Sequence, residues 1–150
     1  MDQFIEGKVV LITGGVGSIG SELVRQVLRY NPKQVRIFDN RETEIFHFQH
    51  TLENHDNVRF LIGDVRDKNR LSLAMENVDI VFHAAALKHV PSCEYNPFEA
   101  VKTNVEGTQN VIDCAFHNNV GKVVNISTDK VTNTINAMGA TKLLAERLVT

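Results

Sequence analysis

The stretch "LITGGVGSIGSEL", residues 11–23, decides how the rest of the chain is read. An apolar run ends at Thr13, then Gly14, Gly17 and Gly20 follow at three-residue spacing before an amphipathic helical pattern opens. Backbone N–H groups at the start of such a helix attract a diphosphate, and glycines let it approach without Cβ clashes. Gly14, Gly17, Ser18, Ile19 and Gly20 are therefore candidate cofactor-binding residues. A glycine triplet alone is weak, because turns use glycine often. The strand before it, the helix after it and an acid at the next strand end turn it into a dinucleotide fingerprint.

That acid is Asp39 in "VRIFDNRE", where a carboxylate can accept hydrogen bonds from adenosine ribose hydroxyls and repel a 2′-phosphate. NAD is expected rather than NADP. Arg41 keeps NADP open, since a guanidinium two residues on can pair with that phosphate; its plainer reading is a solvated charge at a helix start.

Outward from this motif, short apolar runs alternate with helical patterns. Strands are expected at 8–13, 34–38, 58–62, 79–85 and 122–127. Helices are expected at 18–30, 41–54, 68–77 and 96–119, with a last one from residue 137. In the first, Ile19, Leu23, Val27 and Tyr30 share a face; in the long fourth, Val101, Val105, Thr108, Ile112 and Ala115 do. Gly107, inside that helix, marks close packing against a neighbour. The alternation implies an α/β fold: a Rossmann-like, doubly wound parallel sheet ordered 3-2-1-4-5 with helices on both faces.

In such sheets ligands bind at the carboxyl ends of the strands, and the remaining candidates fall there. Asp64, with Val65 after it, follows the third strand as an adenine contact or a turn-forming Asx residue. Ala84, Ala85 and Ala86 suit close passage of a cofactor, or a tight strand–loop junction. Ser127-Thr128-Asp129-Lys130 brings a hydroxyl, a carboxylate and an ammonium to the fifth strand end, and Met138 and Lys142 follow one helical turn apart. Singly, these are a helix cap, a surface ion pair and a core methionine.

Composition narrows the partners. With 150 residues, 43% of them apolar, the chain holds one core and is read as a single dinucleotide-binding domain. A net charge of −2 gives no footprint for nucleic acid or an anionic membrane, and no apolar run approaches a membrane span, so a cytoplasmic setting is expected. Cys93 and Cys114 lack metal or disulfide spacing, and His47 with His50, or His83 and His89 near Cys93, make poor ligand sets; no metal is expected. The last segment reads as a helix still under way, as if the chain were cut before a C-terminal sugar-nucleotide-binding part.

Residues 10–150 resemble the extended short-chain dehydrogenase/reductases: the glycine motif, Asp64, "HAAA" at 83–86, Asn104 in "TNVEGT" and the span from Thr128 to Lys142 all match. Within that superfamily "AALKHVPSCEYNPFEAVKTNVEGT" and "STDKVTNTINAMGATK" resemble the nucleotide-sugar 4,6-dehydratases of polysaccharide biosynthesis, which act on UDP-N-acetylglucosamine. The resemblance implies transient oxidation at C4, loss of water across C5–C6 and hydride return to C6. It makes Lys130 the base and Asp129 the acid, and gives Lys142 the nicotinamide ribose. Thr128 takes the sugar 4-oxygen, Lys88 contacts substrate and Asn104 joins the cofactor site. The superfamily also implies a homo-oligomer paired through the helices after strands four and five. Met138 stands where many relatives carry a tyrosine, and a thioether has no proton to exchange. Met138 is therefore read as a marker of a Met-x-x-x-Lys subgroup that shapes the pocket. A UDP-sugar epimerase and a dinucleotide-binding module without turnover are the alternatives.

Overall fold

Alternation along the first strand separates the two layers of the molecule. In the computed structural model, which describes residues 2–131 and 135–150, Val9 and Leu11 face one apolar cluster and Val10 and Ile12 the other. All five residues of this strand are buried, as a strand with neighbours on both edges and helices on both faces requires.

The chain runs α1 (Asp2–Ile5), β1 (Val9–Thr13), α2 (Ser18–Leu28), β2 (Gln34–Asp39), α3 (Glu42–Thr51), β3 (Val58–Ile62), α4 (Lys68–Ala74) and β4 (Ile80–His83). Two short helices, α5 (Val90–Tyr95) and α6 (Pro97–Ala100), lead into a π-helical turn at Val101–Glu106 and then α7 (Gly107–His117). β5 (Lys122–Asn125), a 3₁₀ turn at Asp129–Val131 and α8 (Ala137–Val149) follow. The sheet is parallel throughout and ordered β3-β2-β1-β4-β5, as expected. One cluster packs α2 and α3 on the sheet through Val24, Val27 and Phe48. The other packs α4 and α7 on the opposite face through Leu71, Val111 and Cys114. Asn31, Asn77 and Asn119 turn the chain back toward the sheet with φ of 49°, 58° and 55°, a conformation asparagine tolerates better than most residues. Among the described residues no helix is long and apolar enough to cross a membrane.

Two expected helix faces are rotated. On α2 the buried residues are Gly20, Val24 and Val27, while Ile19 is 56% exposed, because the helix approaches the sheet on its glycine side. The helix expected at 96–119 is broken by the π turn, whose wider loop adds a residue and shifts the phase. Asn104, Gly107, Thr108, Val111, Cys114 and Ala115 point inward, and Val101, Val105 and Ile112 are only partly buried. α1, α5 and the 3₁₀ turn were not anticipated, and β4 and β5 end two residues earlier than expected.

Gly107 does mark a close approach, but within this chain: a Cβ there would lie 2.7 Å from Val65 Cγ2. Gly107→Ala should therefore lose about 1 kcal/mol of stability through overpacking, despite the gain in helix propensity. In a Val65→Ala background the same change should instead stabilise by about 1 kcal/mol, and a urea denaturation double-mutant cycle measures the reversal.

Candidate active site

The glycine loop is shaped by what lies against it. Gly14 has φ of +66° and packs on β4's exit, where a Cβ would sit 2.6 Å from Ala85 N. A Cβ on Gly20 would collide with the carbonyl oxygen of Gly14, so helix α2 starts flush on the loop. The Gly17 N–H bonds Gly14 O at 3.0 Å, closing the turn. Helices α4 and α8 are capped by side chains, Asp67 to Arg70 N and Asn136 to Gly139 N. Helix α2, like α3 and α5, has no side-chain cap; with Gly17 at its cap, its first turn borders the cleft.

Asp39 is buried at the end of β2. Its Oδ2 accepts from Val16 N at 3.3 Å, joining this acid to the glycine loop. Arg41 turns back onto it: Nε donates to Oδ1 and Nη2 to Oδ2, both at 3.1 Å, and the pairing raises the arginine's pKa. Asp64 forms the Asx turn expected of it, accepting from Arg66 N at 2.9 Å, and also faces the cleft.

These groups enclose one cleft of about 590 Å³, lined by Gly14, Gly17, Ser18, Ile19, Gly20, Asp39, Arg41, Asp64, Val65, Ala84, Ala85, Ala86 and Lys88. It sits between the ends of β1 and β4, where the strand order reverses. Val16, Asn40, Gly63, Arg66 and Thr103 also line it and were not singled out from sequence; His89, weighed only as a poor metal ligand, lines it too. Thr103 had no sequence signal, because it reaches the cleft from the π turn.

Behind the cleft runs a buried polar chain. Ala85 N donates to Thr13 Oγ1 at 3.4 Å, and Thr13 Oγ1 lies 2.7 Å from His83 Nδ1. His83 Nε2 lies 3.0 Å from Thr108 Oγ1, which donates its own proton to Asn104 O at 2.7 Å. With that proton committed, Thr108 accepts from Nε2–H, so Nδ1 accepts from Thr13 and His83 is neutral. Burial, then the nearby Lys142 ammonium, pushes its pKa down to about 3. Asn104 clamps the cleft wall, accepting from Leu87 N at 2.8 Å and donating to Leu87 O and Thr141 Oγ1 at 3.0 Å each.

A second group gathers at the end of β5. Thr128 Oγ1 donates to Asp129 Oδ1 at 3.0 Å. Lys142, 8% exposed, donates from Nζ to Ile126 O at 2.6 Å, and burial lowers its pKa. The buried atoms Asn125 Oδ1 and Ser127 Oγ, on residues flanking Ile126, have no hydrogen-bond partner among the described residues. Lys130 follows Asp129 in the 3₁₀ turn; its side chain, and residues 132–134 of the expected motif, lie outside the described residues. Met138 is 3% exposed and packs with Cys93 and Ala100 between α8 and the short helices α5 and α6. None of Thr128, Asp129, Met138 and Lys142 lines the glycine-loop cleft; Asn104, through Thr141, connects the two groups.

Residues 10–150 match the family model described as polysaccharide biosynthesis protein. A Methanocaldococcus jannaschii protein described as an uncharacterized membrane protein is 60% identical over 99% of this chain and 44% of its own length. A UDP-N-acetylglucosamine 4,6-dehydratase (inverting) from Campylobacter jejuni is 50% identical over 95% of this chain and 42% of its own length. A UDP-glucose 4-epimerase from Rickettsia typhi is 46% identical over 94% and 42%. The chain thus spans less than half the length of these relatives. Among solved structures, Pen from Bacillus thuringiensis superposes with a TM-score of 0.93 at 51% identity, over 97% of this chain and 45% of that one. A dTDP-glucose 4,6-dehydratase from Streptomyces venezuelae with bound NAD gives 0.85 at 29% identity, over 93% and 50%.

The buried imidazole yields a pH prediction. Its folded pKa of about 3 lies below the ordinary 6.5, so its contribution to stability is fully present above pH 6.5 and is lost as the pH falls toward 3. That contribution is on the order of 5 kcal/mol. ¹⁵N NMR of the imidazole should show one neutral Nε2–H tautomer from pH 5 to pH 9. Titration near 6.5 would contradict the arrangement.

Proposed function

The chain belongs to the polysaccharide biosynthesis protein family, and on that premise we propose that it is the NAD-binding part of a nucleotide-sugar 4,6-dehydratase acting on UDP-N-acetylglucosamine. The observation that carries this reading is the end of β5, where the Thr128 hydroxyl bonds the Asp129 carboxylate and Lys130 follows directly. A domain that only binds a dinucleotide has no need of an acid and a base side by side.

A dinucleotide fits the cleft. The uncapped start of α2 receives the diphosphate, Asp39 the adenosine ribose, Asp64 and Val65 the adenine side, and Ala84–Ala86 the path toward the nicotinamide. With Arg41 already committed to Asp39, NAD is the preferred form and NADP the lesser one. When bound, NAD supplies the hydride acceptor for sugar C4 and the source of hydride for C6.

The chain's own residues handle protons. The 4-hydroxyl proton passes through Thr128 to Asp129, its hydrogen-bond partner, so that Thr128 holds the 4-oxygen while C4 is oxidised and Asp129 becomes an acid. Lys130 removes the proton from C5, made acidic by the adjacent ketone, and Asp129 protonates the 6-hydroxyl so that it leaves as water; Lys130 then returns its proton to C5 as the C5–C6 double bond is reduced. Lys142, its ammonium already weakened by burial, holds the nicotinamide ribose and adds positive charge that favours a neutral Lys130. Lys88, on the cleft rim, contacts the substrate. The same reading places the enzyme in the cytoplasm as a homo-oligomer paired through α7 and α8; α8 leaves Leu144 and Leu148 exposed one turn apart. Gly107 faces Val65 rather than a partner helix, so it plays no part in that pairing.

The epimerase relative keeps one second reading open, and product mass separates the two. A protein carrying this chain, incubated with UDP-N-acetylglucosamine and NAD, should release a product lighter by one water; an isomer of unchanged mass would establish the epimerase instead. Within the dehydratase reading, Lys130→Ala should lower turnover by about 10² or more, the usual worth of a general base. Met138→Leu, a volume-conserving change in a buried cluster, should keep activity within about tenfold. The reverse order of effects would overturn the assignment.

A further inference from the structure

Away from the glycine loop, under the β3 edge of the sheet, Arg36, Arg59 and Arg70 line a hollow of about 380 Å³. Arg36 and Arg59 are register partners on β2 and β3, so two guanidinium groups stand side by side on one sheet face. Like charges placed directly across a strand pair oppose folding unless something compensates them. Arg70 reaches the same hollow from α4.

Among the described residues none of the three has a carboxylate within ion-pair distance, whereas Arg25, Arg41, Arg66, Lys68 and Lys102 each have one. Glu76 is the one acid among the lining residues. The guanidinium groups are instead held by neutral oxygens. Arg36 donates through Nη1 to Ala74 O and Glu76 O, both at 2.8 Å, and through Nε to Gln34 Oε1. Arg59 donates through Nη1 to Asp56 O and Val58 O, and Arg70 through Nε to Ile62 O at 2.8 Å. These bonds fix the planes of the groups without neutralising them. Nη2 of all three, Nε of Arg59 and Nη1 of Arg70 remain as donors. Such pre-oriented forks suit a tetrahedral oxyanion, which accepts several charge-assisted bonds at once.

We infer that this hollow binds a phosphoryl group, at a site separate from the glycine-loop cleft and independent of the activity proposed above. Its volume admits the group together with part of what carries it. The test is residue-resolved NMR of the whole chain at constant ionic strength, following the Nε–H signals of Arg36 and Arg70 and the amides of Gly17 and Ser18. Inorganic phosphate should move the arginine signals saturably, and chloride should not. Arg59→Gln, at an exposed position with no core contact, should weaken that response at least about fivefold and leave the Gly17 and Ser18 responses unchanged; Arg59→Lys should fall between. UDP supplies the second arm. Binding at the arginines about tenfold tighter than phosphate assigns the hollow to a nucleotide, and equal binding assigns it to the free anion. Arginine signals that do not saturate, or that respond equally in Arg59→Gln, would overturn the inference.

Discussion

Gly14 and the backbone of Ala84 and Ala85 lie closer than any side chain would allow, and the cleft exists because of it. A carbon on Gly14 would push the end of β4 away from β1 and widen the point where the strand order reverses. That contact is maintained from behind. Thr13, His83, Thr108 and Asn104 tie the ends of both strands to the π turn, and each hydroxyl between them both donates and accepts. A fully satisfied buried chain of this kind fixes one arrangement, since removing any member strands its neighbours. Cleft-facing backbone and interior polar residues therefore form one mechanical unit.

Electrostatics divides the molecule differently. In the cleft the anionic Asp39 is paired with Arg41, and farther along Lys142 is buried against a carbonyl with His83 neutral behind it. A neutral imidazole there spares the interior a second positive charge beside Lys142, which would be costly at this burial. At the β3 edge the arrangement is opposite: arginines are gathered with no ion-paired carboxylate among the described residues. The chain's modest net charge of −2 conceals this separation of sign.

Much of the fold was legible because strand burial and loop glycines have local signatures. All five strands, their order and the gathering of Asp39, Asp64 and Ala84–Ala86 around Gly14 followed from apolar runs and spacing. The phase of the helix through Asn104 did not, because a π turn has no composition of its own and one added residue turns every later side chain. Ile19 misled for a related reason: its apolarity suggested the core, yet Gly20 is what lets α2 close on the sheet. His83 looked like a weak ligand candidate, and only the hydroxyls of Thr13 and Thr108, far off in sequence, show it to be a strut. The arginine hollow was invisible for the same reason. Its members become neighbours only through strand register.

The pairing of β1 with β4 joins Val10 to Ile80 and Thr13 to His83, across 70 residues of chain. During synthesis the glycine loop emerges well before its opposing wall is made. Until β4 has left the ribosome, β1 can pair only with β2, and the unpaired N–H and C=O groups of its other edge stay open to wrong partners. Loops that must close over such distances also form slowly. The nascent chain therefore passes through an interval in which its ligand-binding signature is complete in sequence and absent in space, when protection by a chaperone would matter more than any ligand.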